Sequence, residues 1–152
     1  MRRIVIEKAA RRLSVFDGEQ LIFSCPIALG RVPVGHKTHE GDGRTPEGVY
    51  FVCLKKEHGK YGASLGLSYP SLADARAAAH RGDLDASLLP LFERAEQERT
   101  RPPWGTPLGG EIYIHGGGTA TDRTAGCIAL SDADARRVFD LAEEKTEIWI
   151  KA

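Results

Sequence analysis

Apolar and polar side chains alternate from the start of the chain. "RIVIE" (3–7) and "RLSVF" (12–16) are rich in β-branched and apolar residues and predict two strands. Asp17-Gly18 is a hairpin signal leading into a third run, "QLIFSCPIALG". A Gly-, Pro- and charge-rich stretch, "GRVPVGHKTHEGDGR", follows as a loop, and "VYFVCL" (49–54) is a strand entered through Pro46-Glu47-Gly48. Alternation places Val49, Phe51 and Cys53 on one face of it, read as core. The period then becomes helical. "SLADARAAAHRG" is alanine-rich and opens with Ser71 and Asp74 at capping-box spacing. "LDASLLPLFERAEQER" places Pro90 at a helix start or a kink. After a second loop, "TRPPWGTPLGG", the strand "EIYIHGGG" ends at glycines. Ser131 caps a helix whose Ala135, Val138, Phe139 and Ala142 fall at i, i+3, i+4 and i+7, and "TEIWIK" closes as a strand. The pattern predicts a β-rich α+β fold in one domain, residues 1–152, without repeats or linkers.

Composition adds bounds. A chain of 152 residues can bury a core without staples. Lysine plus arginine equals aspartate plus glutamate, 21 each, so there is no electrostatic case for nucleic acid or an acidic membrane. Arg2, Arg3, Lys8, Arg11 and Arg12 alternate with strand positions and read as a solvated face. No apolar run approaches the roughly 20 residues of a membrane span, and the first residues lack the apolar stretch of a secretory leader. Of the three cysteines, Cys25 and Cys53 read as small buried hydrophobes; a bridge between them stays open at this point.

Cys127, in "RTAGCIALS", is the third cysteine. A thiol nucleophile needs a base or cation, exposure, and donors for the oxyanion formed on attack. His115 is the candidate base: it ends the strand on the face of Tyr113, opposite Ile112 and Ile114, which are expected to face the core. "HGGGTATDRTAGC" is short and glycine-rich, so it can fold back and bring Cys127 to the strand end. The Gly126–Cys127 peptide lets backbone N–H groups approach a carbonyl oxygen closely. A metal is not expected: His36 and His39 lie three apart with His58 further on, but no ligand motif surrounds them. His80 sits near a helix end, where it can interact with the dipole. Gly116–Gly118 is not a phosphate loop, since the lysine and following helix are missing.

In order, "GDGRTPEGVY", "GGEIYIHGGG" and "TAGCIAL" resemble the L,D-transpeptidase catalytic domain, the YkuD-type domain, and the opening strands resemble its start. The family signature is a strand-end His-Gly, a glycine-rich loop, then Ser/Thr-His-Gly-Cys, an apolar residue and arginine. His115, Gly116, Thr124, Gly126, Cys127 and Ile128 match it; Ala125 and Ala129 stand where the signature has histidine and arginine. The chain resembles a divergent branch, and Arg44 and Arg123 are candidates to supply the missing cation.

The resemblance implies a sheet-based YkuD fold with a few helices, and a peptidoglycan L,D-transpeptidase acting in the cell wall. Cys127 would attack a stem tetrapeptide, with His115 as base, the Gly116 carbonyl orienting the imidazole and Gly126 in the oxyanion-binding loop. Arg44, Arg123, Thr124, Trp104 and Tyr50 are the candidates for substrate contact, with core packing as the competing role for Tyr50 and Trp104. No cofactor or metal is implied, carbapenem-type inhibitors are expected to acylate the cysteine, and a monomer is expected. Hydrolysis by the same site, as an L,D-carboxypeptidase or amidase, and a catalytically dead wall-binding module are the competing readings.

Overall fold

The computed structural model describes residues 1–152. Eight strands and three helices follow one another as β1 (Arg2–Glu7), β2 (Arg12–Asp17), β3 (Gln20–Pro26), β4 (Gly48–Gly59), β5 (Gly62–Leu67), α1 (Leu72–Arg81), α2 (Leu89–Glu98), β6 (Tyr113–His115), β7 (Ile128–Ala129), α3 (Asp132–Leu141) and β8 (Glu147–Lys151). The strands form one sheet in the order β3-β2-β1-β8-β4-β5-β6-β7. It curls, because the chain leaving β3 reaches the far edge, where Ala28 bridges Ala129 and Gly30 bridges Thr124. The curl lets the segment after β3 lie beside the residues that flank Cys127.

The apolar alternation puts one side of each strand inside. Ile4, Ile6, Leu13, Val15, Ile148 and Ile150 join Ile112, Ile114, Ile128 and the α3 residues Ala135, Val138 and Phe139 in one core. α1 begins as the spacing predicts: the Ser71 hydroxyl accepts from the Asp74 N–H, and the Asp74 carboxylate accepts from the Ser71 N–H. A short 3-10 turn, Ala86–Leu88, precedes α2, and Pro90 lies in its first turn, where its missing N–H costs no helix bond. Ser131 caps α3 through the Asp134 N–H. No helix is long and apolar enough to cross a membrane.

The structure corrects the reading of β4 and of Lys8 and adds to it at two further points. The inward face of β4 is Tyr50 and Val52, both in the core; Val49 is exposed and Cys53 only half-buried, so the assumed phase of alternation is inverted. Lys8 is not on a solvated face: it is 2% exposed, and its ammonium donates to the Gly35 and Thr45 carbonyls and to Glu47. Strand alternation turned it inward, and the following loop supplies acceptors for a charge that could not otherwise be buried. Cys25 and Cys53 do not bridge; all three cysteines are free, and β2, β1 and β8 separate β3 from β4. β5 has no counterpart in the sequence pattern, because Gly62 and Gly66 dilute its apolar signal.

Candidate active site

Strand register assembles the site. β6 and β7 run parallel, with Ile114 opposite Ile128 and His115 opposite Ala129. Ile114 and Ile128 point into the core. Their neighbours must therefore point outward, which puts Tyr113, His115 and Cys127 on the same side of the sheet edge. They share a cleft of about 270 Å³ whose other walls include Lys56, Lys60, Tyr61 and Glu111.

The loop between His115 and Cys127 is tied down along its length. Gly117 N–H donates to Asp132, and Gly118 N–H to the Leu130 carbonyl. Asp122 accepts from Arg11 and from the Leu29 N–H, anchoring the loop to the segment after β3. Thr124 closes it. Its hydroxyl accepts from the Gly126 N–H at 3.1 Å and donates to the Cys127 carbonyl at 2.7 Å. Glycine is required at 126: φ is +142°, and a Cβ there would stand 2.7 Å from the Arg44 carbonyl oxygen and 2.9 Å from Ile112 Cδ1.

With those bonds made, the Gly126 N–H is occupied, whereas the Cys127 N–H has no acceptor within the chain. The Cys127 sulfur accepts from the Tyr113 N–H at 3.3 Å and donates toward the Glu111 carbonyl at 3.6 Å. The His115 Nδ1–H donates to the Gly116 carbonyl, so Nε2 carries the free lone pair. Sulfur and imidazole line the same cleft without a direct hydrogen bond in this conformation.

Burial dominates the electrostatics of both groups. It holds the imidazole below the ordinary histidine value; the Gly116 carbonyl opposes this, and Arg123 adds to it. It lifts the Cys127 thiol above the ordinary value, against the Tyr113 N–H and Lys37, with Glu111 adding to the rise. Low dielectric disfavours the charged form of each group.

The remaining candidates fall in different places. Arg123 is exposed and donates to the Gly117 carbonyl at 2.9 Å, close enough to His115 to shift its titration. Arg44 points away: its side chain donates to the Val34 carbonyl, and only its backbone touches Gly126. Trp104 stands behind Tyr113, edge to face at 5.9 Å, and donates to the Tyr69 carbonyl. Tyr50 is buried, donates to Asp74, and borders a separate cavity of about 180 Å³. His36 is held between Asp74 and the Glu47 N–H, and His39 is exposed.

Sequence reasoning missed Tyr61, Lys56, Lys60 and Lys37. Tyr61 belongs to the turn between β4 and β5 and stacks on His115. Its one local signal is an aromatic residue between Gly59 and Gly62. Lys37 lies in the stretch read as a polar loop, yet it is 3% exposed and paired with Asp42 at 3.0 Å.

A curled sheet with a thiol and an imidazole at one edge, joined by a pinned glycine-rich loop, defines a cysteine–histidine cleft domain. The chain belongs to the YkuD family, the L,D-transpeptidase catalytic domain, whose family model matches residues 1–150. Among solved structures it is similar to the helical cell shape determining protein Pgp2 of Campylobacter jejuni (K307A mutant), at 23% identity and TM-score 0.68 over 99% of this chain and 46% of that one. Bd1075 of Bdellovibrio bacteriovorus matches at 23% identity and TM-score 0.64, over 99% of this chain and 47% of that one. The L,D-transpeptidase LdtMt1, solved in complex with imipenem, matches at 13% identity and TM-score 0.56, over 99% and 58%. The chain thus spans about half the length of the first two. At these identities the likeness is one of fold. A search of curated protein sequences returned no match.

Proposed function

We propose that the chain is a cysteine acyltransferase of peptidoglycan, with Cys127 as nucleophile and His115 as general base. The observation that carries this reading is the free Nε2 of an imidazole whose Nδ1 is fixed by Gly116, in the cleft that also holds the Cys127 sulfur. The sulfur attacks the carbonyl carbon between an L-centre and the terminal D-residue of a stem tetrapeptide as His115 Nε2 takes the thiol proton. The unpaired Cys127 N–H receives the oxyanion, an interaction worth about 3–4 kcal/mol where such donors have been measured. Collapse breaks the C–N bond, and the imidazolium proton leaves with the D-residue's amine. The thioester is then resolved by an amine of a second stem peptide, giving a cross-link, or by water.

The cleft walls support an anionic substrate. Lys56 and Lys60 have no carboxylate partner in the fold, and Arg123 is exposed beside His115. Membership of the family supports action in the cell wall.

Hydrolysis is the second reading, favoured by Ala125 and Ala129, which stand where the family signature has histidine and arginine. Intact-mass measurement after incubation with imipenem tests the site: wild type gains one inhibitor mass and Cys127→Ala none. An unmodified wild type would sink the acyl-enzyme. Muropeptide products formed with and without an acceptor amine separate transfer from hydrolysis.

A further inference from the structure

Lys37 enters from the loop between β3 and β4 and ends at the Ala125–Gly126–Cys127 turn. Its ammonium lies 3.0 Å from Asp42 Oδ1 and 3.5 Å from the Ala125 carbonyl oxygen. Both members of the pair are almost fully covered, at 3% and 2% exposure. Such a pair costs several kcal/mol to desolvate unless its remaining hydrogen bonds are met. Asp42 meets its own: besides Lys37 it accepts from the backbone N–H groups of Thr38, His39 and Arg44. Lys37 has spare donor capacity, and the atom it reaches is the carbonyl two residues before the sulfur.

That carbonyl belongs to a peptide held at both ends. Its N–H side, Gly126, donates to Thr124, and its oxygen faces Lys37. The next peptide carries the Cys127 N–H, which, like that of Ala125, has no acceptor within the chain. Arg44 points to Val34, and the position two after the cysteine is Ala129.

We propose that Lys37 is a positioning residue for Cys127: its buried ammonium, paired with Asp42, fixes the Ala125 carbonyl in the turn that carries the sulfur and holds a positive charge close to it. The proposal rests on the reading of Cys127 as nucleophile. The cleft around the sulfur also holds His115 from β6, Glu111 from the preceding loop, and Lys56, Lys60 and Tyr61 from the β4–β5 hairpin, with Arg123 on the Gly117 carbonyl near His115. Lys37 lowers the thiol's titration point and Glu111 raises it.

The test is the pH dependence of iodoacetamide alkylation of Cys127, followed by peptide mass in folded protein. Lys37→Met moves the profile to higher pH and lowers the neutral-pH rate about tenfold, the equivalent of one pH unit; Lys37→Arg restores most of it. Asp42→Asn, which leaves the ammonium without its counter-charge, moves the profile the opposite way. An unchanged profile in folded Lys37→Met, or a shift of Asp42→Asn in the same direction, overturns the proposal. If Lys37→Met does not fold, the direction seen in Asp42→Asn decides alone. Imipenem mass gain on wild type, run alongside, separates the two ideas: an alkylation shift without any acylation overturns the acyltransferase reading and leaves the electrostatic role of Lys37 standing.

Discussion

The ring of Tyr61 lies flat on the imidazole of His115, with centroids 4.5 Å apart and planes 17° from parallel. The tyrosine itself is 45% exposed, so it is a cover and not part of the core. Its contribution is to exclude water from the imidazole, the first cause of that group's lowered titration point. Tyr61→Ala is expected to bring His115 back toward the ordinary histidine value, about 6.5, and to move the acid limb of kcat/KM to higher pH. Global stability should change little, since the ring is half in solvent. An NMR titration of the His115 ring protons, with Tm measured beside it, checks both statements.

Thr124 is the keystone of the nucleophile turn. Its single hydroxyl serves both the Gly126 N–H and the Cys127 carbonyl. Thr124→Val keeps the shape and removes both bonds, at about 1 kcal/mol each in stability. The loss of acylation rate should exceed the loss of stability: a displaced Cys127 N–H forfeits oxyanion binding, and 10²-fold or more is the expected scale. Thr124→Ser restores the rate. A Thr124→Val enzyme acylated by imipenem at the wild-type rate would remove the turn from the mechanism.

The elements that were legible in the sequence are those whose signals are local. The Ser71–Asp74 box, the Ser131 cap and the Asp17-Gly18 turn each depend on residues within four positions, and each forms. The face of His115 was also legible, because a strand alternates strictly and Ile112 and Ile114 mark the inner side. β4 misled because Tyr50 is both aromatic and polar, so Val49, Phe51 and Cys53 looked the more apolar face; the Tyr50 hydroxyl is buried only because Asp74 of α1 accepts from it. Lys8 could not be recognised, since its acceptors lie 27 to 39 residues away, and Lys37 pairs with nearby Asp42 while its second acceptor, the Ala125 carbonyl, is 88 residues away. The Cys127–His115 cleft lies between these cases: motif and loop length suggested it, while its walls, Tyr61 and Lys56, come from a hairpin the pattern did not announce.

Three free cysteines give an internal comparison. Burial pushes Cys25 and Cys53 up to about 12 and raises Cys127 as well, but Cys127 alone of the three opens on the cleft. Alkylation needs access as well as thiolate, so Cys127 should react first, with a rate that climbs through the alkaline range. Peptide mapping after brief iodoacetamide exposure at several pH values measures this. Equal labelling of all three thiols in folded protein would contradict the site.

Acid should destabilise the fold in two windows. His115 has a depressed folded value, so the unfolded chain takes up its proton first as pH falls through about 6.5, and stability declines from there until the folded imidazole also protonates. Asp42 is lowered to about 2, despite its burial, by the backbone N–H groups of Thr38 and Arg44 and by Lys37. Its contribution is complete above about pH 4 and disappears between roughly 4 and 2, on the order of 2 kcal/mol. His115→Gln should flatten the first window alone, and Asp42→Asn the second, in urea unfolding followed from pH 8 to 3.

Arg123 and Arg44 were equivalent candidates in sequence and are not equivalent in space. Arg123 stands at the cleft, on the Gly117 carbonyl, and helps keep the imidazole neutral; Arg44 bonds to Val34 on the far side of the loop. Reversing the charge at 123 places a carboxylate where an anionic stem peptide would approach, and it removes a cation that opposes protonation of His115. Arg123→Glu should therefore raise KM for a tetrapeptide about tenfold or more and shift the acid limb of the pH profile upward, since a neighbouring carboxylate favours the imidazolium. Arg44→Glu should leave KM within about twofold, because an exposed charge on the far side is screened over a Debye length of about 10 Å. Steady-state kinetics of both variants at low and high salt make the comparison. Equal KM effects at the two positions would mean that the substrate reaches the sulfur by another side of the loop.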